Sequence, residues 1–322
     1  MRYFKLGKYK FSKICLGTWS LGGNKNKNIS YGSVSDIKAK KILNYAYDKG
    51  VNFFDTANVY GDSEKKLGEL FEKKRDKIFI ANKVGCVSFK KKLNFSKNVV
   101  EKQFLCSLKN MRTDYMDIVQ LYCPNFEDKN LRHTIEYLDK LKASGKIRFI
   151  GISLARPSDY LQLRKLYNFD TVQCNFNMLD HRLLENNILD QLKKDRVKTF
   201  VRTILNFGIF TESFLKRDKI KFKKNDHRYY WNKDQIEKWA LYANKIKKIT
   251  KRNIEGTGYK FVNSFKIDGL IIGAASKDHL DQALNFKNNT KLSFKEKINI
   301  KKIYKEYSDG FLIKPKIGMK RK

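Results

Sequence analysis

The sequence predicts an α/β protein that forms a closed (β/α)8 barrel with an N-terminal hairpin and an extra C-terminal helix. Short apolar segments of strand character alternate with amphipathic helical segments along all 322 residues, and parallel strands need such helical crossovers. The length suits one TIM barrel, which takes roughly 250 residues. Several strand segments also end on a polar side chain.

Eight apolar segments predict the strands of the barrel. They are residues 14–16, 53–55, 78–83, 116–121, 149–153, 171–175, 198–202 and 269–272. Apolar residues at helical spacing, such as Ile42, Leu43 and Ala46, predict a helix after each strand. The predicted helices are residues 36–49, 64–72, 97–111, 131–144, 158–167, 183–193, 233–250 and 278–284.

We expect a single domain that covers residues 1–322 and includes the remaining segments. Residues 2–6 and 8–11 predict a small hairpin that covers the bottom of the barrel. Residues 206–231 form a polar and aromatic insertion after the seventh strand, and residues 294–307 predict the extra helix. Residues 314–322 are basic, and we expect them to be a flexible tail.

A doubly wound open sheet is the competing architecture, because near-continuous apolar strands suit it equally well. Such a sheet favours a glycine-rich GxGxxG fingerprint after its first strand. The chain has Gly17, Thr18 and Trp19 at that point, which does not match the fingerprint. The closed barrel is therefore preferred.

Composition excludes several classes of protein. Hydrophobic residues make up 41% of the chain, which is typical of a folded protein, and no apolar run approaches the roughly 18 residues that span a bilayer. The N-terminal segment has no signal-like apolar block. Five cysteines without CxxC spacing and four separated histidines predict neither a disulfide framework nor a zinc site. We expect a cytoplasmic protein that does not bind membranes.

The net charge of +36 raises the possibility of nucleic-acid binding. The excess lysine is spread from end to end among Asn, Ile, Phe and Tyr residues, which indicates a bias toward adenine- and thymine-rich codons. No RNP-like motif, helix-turn-helix or zinc knuckle is present in the sequence. A positive field would instead raise encounter rates with an anionic cofactor or substrate.

The clearest chemical signal lies around the second and third strands. Asp55 ends the second strand, Tyr60 follows five residues later, and Lys83 ends the third strand. An unperturbed tyrosine has a pKa of about 10, and a nearby cation favours the phenolate and lowers that value. The three side chains therefore predict a general acid at the rim where the strands end.

Other polar side chains stand at or near the ends of later strands, where barrel enzymes gather their catalytic groups. They are Tyr122, Ser153, Gln173, Asn175 and Arg202. Each could have a structural role alone, but their shared position favours a common site.

At these residues the chain resembles a known family. The pattern GxNxFDTAxxYGxSE is matched by Gly50, Asn52, Phe54, Asp55, Thr56, Ala57, Tyr60, Gly61, Ser63 and Glu64. Further matches follow in order along nearly the whole chain, as in residues 82–85, 145–148, 150–153, 173–177 and 273–277. The chain resembles the aldo-keto reductases, and most of all a bacterial branch with a GTWxLGG start and an Asp-His-Arg segment, here Asp226-His227-Arg228.

The resemblance implies reduction of a small aldehyde, ketone or sugar-like carbonyl with NADPH, or with NADH as the alternative. Tyr60 would be the general acid, assisted by Lys83 and Asp55, and Tyr122 would be the fourth catalytic residue. The residues implied for cofactor binding are Gly17, Thr18, Trp19, Asp55, Ser153, Gln173, Arg202, Thr203, Leu205, Gly208, Gly273, Ala274, Ser276, Lys277, His279 and Gln282. No metal is implied.

The chain departs from the family pattern in three respects. Tyr122 stands where the family has a catalytic histidine, and Leu154 stands where an asparagine usually follows Ser153. His279 and Gln282 replace residues that usually grip the adenosine end. These departures keep a second hypothesis open, in which the barrel is a cofactor-binding sensor or a specialised protein of low activity.

Overall fold

A computed structural model describes residues 1–23, 30–32, 34–285 and 291–307. It contains ten strands. They are β1 (Tyr3–Leu6), β2 (Tyr9–Ser12), β3 (Ile14–Gly17), β4 (Phe53–Asp55), β5 (Phe79–Val84), β6 (Met116–Tyr122), β7 (Ile147–Ser153), β8 (Thr171–Asn175), β9 (Lys198–Arg202) and β10 (Gly269–Gly273). The predicted basic tail, residues 314–322, lies outside the described residues.

Strands β3 to β10 close into a parallel barrel in the order β10-β3-β4-β5-β6-β7-β8-β9. The strand pairing is parallel throughout, so that Gly17 is level with both Gly273 and Asp55. This confirms the predicted closed barrel over the open sheet. It also brings the carboxyl ends of all eight strands to one rim.

The helices pack around the barrel in the positions between strands. Those in the described ranges are α1 (Asp36–Asp48), α2 (Ser63–Phe71), α3 (Lys97–Asn110), α4 (Leu131–Ala143), α5 (Tyr160–Leu163), α6 (Ile188–Lys194), α7 (Glu212–Leu215), α8 (Lys233–Thr250), α9 (Ile254–Asn263), α10 (Lys277–Asn285) and α11 (Phe294–Glu306). The last of these is the predicted C-terminal helix. No helix in these ranges combines the length and apolar character needed to cross a bilayer.

The N-terminal hairpin of β1 and β2 covers the bottom of the barrel, as predicted. Phe11 of β2 has no exposed surface. Its ring stacks on Phe79 with centroids 4.0 Å apart and meets the edge of Phe53 at 5.2 Å. The hairpin therefore closes the amino end of the barrel with aromatic packing and leaves the opposite rim for the functional site.

Two helix predictions were wrong in detail, and one helix was not predicted. The helix predicted over residues 183–193 is α-helical only from Ile188 to Lys194, because Asn186 and Asn187 have positive φ and interrupt it after the 3-10 segment Arg182–Asn187. The helix predicted over residues 158–167 is a single turn of 3-10 helix at Pro157–Asp159 followed by the four-residue α5. Helix α9 was missed, because Gly256 and Gly258 lower helix propensity. Packing favours Gly258, because a Cβ there would lie only 3.2 Å from Leu205. The insertion of residues 206–231 contains α7 and two 3-10 turns.

Candidate active site

A buried ion pair lies at the rim between β4 and β5. The ammonium group of Lys83 donates to both carboxylate oxygens of Asp55 at 2.7 Å and to the backbone carbonyl of Thr56 at 3.0 Å. Lys83 is 2% exposed and Asp55 is 4% exposed. The structure thus brings together the carboxylate and the ammonium group that the sequence predicted to meet.

Tyr60 lies directly over this pair, with its ring centroid 5.0 Å from Nζ of Lys83. The turn that carries the ring needs Gly61, whose φ is +60°, in the left-handed region that favours glycine. A Cβ on Gly61 would also lie 2.5 Å from the carbonyl oxygen of Gly22. The glycine therefore lets the β4–α2 loop pack against the Gly22 segment and hold Tyr60 at the mouth.

The surroundings of Tyr60 shift the pKa of its hydroxyl group, while the effect expected of Lys83 on this pKa stays a prediction. Burial raises the pKa of Tyr60 well above its ordinary value, the Asp55 carboxylate raises it further, and the Arg202 guanidinium lowers it. Tyr60 is therefore a protonated phenol at neutral pH, and the Arg202 guanidinium favours its phenolate.

Tyr122 ends β6 beside the same cluster. Burial raises the pKa of Tyr122, and the Arg202 guanidinium lowers it. The guanidinium group of Arg202 donates to the backbone carbonyl of Leu154 at 3.1 Å, which fixes it across the ends of β7 and β9. One guanidinium thus acts on both phenols.

Ser153 and Gln173 extend the hydrogen-bond network of Asp55 and Lys83 toward β7 and β8. The amide nitrogen of Gln173 donates to Asp55 at 2.6 Å, and the hydroxyl of Ser153 donates to the amide oxygen of Gln173 at 3.1 Å. Both side chains are fully buried. They therefore connect β7 and β8 to the ion pair, and each retains hydrogen-bonding capacity that could meet a ligand.

The predicted cofactor residues after β3 and β9 have different surroundings. Thr18 is buried, and its hydroxyl donates to the carbonyl of Asp55 at 3.0 Å, which is a structural contact. Trp19 lies at the mouth, with its ring 6.2 Å from that of Tyr60. The segment after β9 has backbone with positive φ, as at Thr203 (61°) and Gly208 (83°). Predicted residues Gly17, Leu205 and Gly208 are half-buried along the same rim.

The residues after β10 lead into the start of α10. Ala274 is buried, and its carbonyl accepts from Ser20 at 3.4 Å. Ser276 accepts from the backbone nitrogen of His279 at 3.3 Å, as expected of a helix-capping residue. Lys277, His279 and Gln282 are exposed.

The rim has features that fit a nicotinamide dinucleotide. In the described part of the chain, Oδ1 of Asn175 and both amide atoms of Asn206 are buried without a hydrogen-bond partner. A Cβ on the exposed Gly273 would meet nothing within 4 Å, so the backbone there is open to a ligand. The half-buried Arg202 and the exposed Lys277 add positive charge for a diphosphate.

An aromatic enclosure over Tyr60 was missed at the level of sequence. It is formed by residues of three loops, namely Trp19, Tyr31, Phe89, Phe207, His227 and Trp231. The loop 30–32 pairs with Asp226 of the Asp-His-Arg segment. The only signal in the sequence was that the loops after the strands are rich in aromatic residues. Whether the aromatic rings of different loops contact each other depends on the tertiary structure.

Comparison with known proteins decides the family. The profile described as "Aldo/keto reductase family" matches residues 13–305. The chain belongs to the aldo/keto reductase family. It is an NAD(P)H-dependent oxidoreductase, and the eight-stranded barrel is the fold expected of a member of this family.

Relatives of this aldo/keto reductase include an uncharacterized oxidoreductase, YqkF, of Bacillus subtilis, which is 31% identical over 71% of this chain and 73% of that protein. An NADH-specific methylglyoxal reductase of Escherichia coli is 26% identical over 71% of this chain and 76% of its own length. The solved structure of the glycerol dehydrogenase AKR11B4 from Gluconobacter oxydans shares the fold, with a TM-score of 0.77, 22% identity, and coverage of 96% and 97% of the two chains.

Proposed function

We propose that this aldo/keto reductase reduces small aldehydes, ketones or sugar-like carbonyl compounds, with Tyr60 as the proton donor. The observation that carries the proposal is the position of the Tyr60 ring 5.0 Å from Lys83, whose charge is held by Asp55. A neutral phenol over a buried, rigid ion pair is suited to donating a proton to an oxygen that becomes negative.

NADPH or NADH would be held along the rim by Ser153, Gln173, Arg202 and the segments that follow β9 and β10. The bound nicotinamide supplies the hydride for the carbonyl carbon. The exposed Lys277 at the start of α10 supports NADPH, because a cation there could pair with a 2′-phosphate. The relative from Escherichia coli is an NADH-specific methylglyoxal reductase, so both cofactors stay within the proposal.

The protein groups act on the carbonyl oxygen. Tyr60 donates its proton to this oxygen, and the Arg202 guanidinium stabilises the phenolate that remains. Tyr122 provides a second hydroxyl in the same cluster. Unlike the histidine of the family pattern, Tyr122 cannot become a cation, so it would act only as a hydrogen-bond donor.

The proposal is tested with purified protein, NADPH or NADH, and a panel of small aldehydes and ketones. We expect loss of reduced-nicotinamide absorbance that depends on the carbonyl compound. The departure at Tyr122 favours a second candidate, a cofactor-binding sensor. Tight cofactor binding without turnover across the panel would support the sensor and contradict the reductase.

A further inference from the structure

The aromatic enclosure over Tyr60 contains two nitrogen atoms of opposite hydrogen-bonding character. The rings of Trp19 and His227 lie 4.7 Å apart, and Trp19 in turn lies 6.2 Å from Tyr60. Within the described residues, Nε1 of Trp19 and Nε2 of His227 are buried and have no hydrogen-bond partner. Buried polar atoms without partners are rare and costly, so this pair needs an explanation.

The proton on His227 can be assigned from its contacts. Nδ1 lies 2.7 Å from the carbonyl oxygen of Ser30 and 3.6 Å from Oδ1 of Asp226. Two acceptors at Nδ1 require the proton to be there. Burial lowers the pKa of His227 to about 4, so the ring is neutral at physiological pH. Nε2 of His227 therefore carries no proton and can only accept a hydrogen bond.

Nε1 of Trp19 is always a donor. The enclosure thus presents one donor and one acceptor, on rings whose centroids are 4.7 Å apart, beside the proton donor Tyr60. A hydroxyl group can accept from one nitrogen and donate to the other. A methyl group would satisfy neither, and a carboxylate would face the lone pair of His227.

We propose that Trp19 and His227 together bind a hydroxyl group of the substrate, so that the enzyme prefers carbonyl compounds with a hydroxyl on the neighbouring carbon. This inference rests on the proposed function, because it defines the substrate class of the same site. The aromatic walls add contact for the C–H faces of such a molecule. The relevant class is short hydroxyaldehydes, hydroxyketones and sugars in their open form.

Phe89 forms the solvent-exposed side of the enclosure. It belongs to the loop after β5 and is 48% exposed, and its ring centroid lies 6.4 Å from that of Tyr60. An exposed ring of this kind can rotate without disturbing the core. Trp19 and His227 are also carried by loops after β3 and β9, outside the barrel strands.

The test compares two substrates of nearly equal shape. They are 2-hydroxypropanal and 2-methylpropanal, which differ in a hydroxyl or a methyl group on the carbon next to the aldehyde. With the same reduced cofactor, we expect kcat/KM for the hydroxyaldehyde to exceed that for its methyl analogue by at least about tenfold. A ratio near one in the unmodified enzyme would overturn the proposal.

The variants His227→Phe and Trp19→Phe each remove one nitrogen and retain an aromatic ring. We expect each to reduce the ratio severalfold, mainly through a higher KM for the hydroxyaldehyde. The ratio is the readout because a general loss of activity affects both substrates. His227→Gln, which keeps an acceptor in its side-chain amide, should restore part of the preference. A preference that persists unchanged in both ring variants would also overturn the proposal.

His181→Phe is the matched control. His181 is a second buried histidine with an unpartnered Nε2 in the described chain, but it stacks on Phe261 and Tyr304 away from the mouth. The ratio of kcat/KM for the two aldehydes should not change in this variant.

Two outcomes separate this inference from the proposed function. The absence of cofactor oxidation with every carbonyl compound tested would contradict the proposed function itself. Equal turnover of both aldehydes would contradict only the hydroxyl preference.

Discussion

The ammonium group of Lys83 lies 2.7 Å from each carboxylate oxygen of Asp55, and both side chains are buried. The two opposite charges therefore stabilise each other away from water. Tyr60 lies over this pair, with its ring centroid 5.0 Å from Nζ of Lys83. The Arg202 guanidinium is a further cation in this cluster, and it lowers the pKa of Tyr60.

The first prediction concerns the stability of this ion pair. Lys83→Met leaves Asp55 buried without its cation, so we expect the free energy of unfolding to fall by about 3–5 kcal/mol. In a urea-denaturation cycle, Asp55→Asn/Lys83→Met should cost less than the sum of the two single changes. Lys66→Met is the control. Lys66 is equally buried, but its partner Asp36 has a side chain 60% exposed, so its loss should cost less.

The second prediction concerns the charge on Arg202. Alcohol oxidation, the reverse reaction, needs the Tyr60 phenolate, so its rate rises with pH toward the pKa of Tyr60. Arg202→Met removes a cation that lowers this pKa, and the rise should therefore move to higher pH. Arg202→Lys retains the charge and should move it less. The pH dependence of kcat for oxidation measures the effect, and superimposable profiles for the Met variant and the original enzyme would contradict it.

The third prediction concerns Tyr122 at the position of the family histidine. If its hydroxyl donates to the carbonyl oxygen, Tyr122→Phe should lower kcat by about 10²-fold, as removal of one such donor does. Tyr122→His supplies another donor and should recover much of this loss with ordinary aldehydes. Steady-state kinetics on both variants decide the matter. Full activity in Tyr122→Phe would assign Tyr122 a packing role only.

The fourth prediction concerns stability in acid. Burial lowers the pKa of His181 from 6.5 to about 3. Between these values the unfolded chain binds the proton and the folded chain does not, so stability falls as the pH drops below 6.5. His181→Phe should remove about 1.4 kcal/mol per pH unit from this slope. An unchanged slope of unfolding free energy against pH in this variant would contradict the prediction.

Much of the fold could be predicted because its signals are local. Apolar segments of strand length alternate with helical ones, and Asp55 and Lys83 end neighbouring strands, so their meeting follows from a parallel barrel. Helix α9 escaped detection because Gly256 and Gly258 lower helix propensity, while Gly258 serves close packing on Leu205. Propensity alone cannot reveal that reason.

The properties of the site were harder to predict because they depend on distance and burial. The sequence predicts that Asp55 and Lys83 meet, but it does not reveal that burial raises the pKa of Tyr60. The contact of Trp19 with His227 joins residues 208 positions apart in sequence. Their two unpartnered nitrogens are visible only when the loops are assembled.

The most direct test of the account is the rate of carbonyl reduction in Tyr60→Phe, measured together with cofactor affinity. Removal of the hydroxyl takes away the proton donor and leaves the ring over Lys83. We expect kcat to fall by at least about 10²-fold, while the dissociation constant for the reduced cofactor, from fluorescence titration, stays within a few-fold. A variant that reduces aldehydes at the original rate would contradict the assignment of Tyr60 as the proton donor.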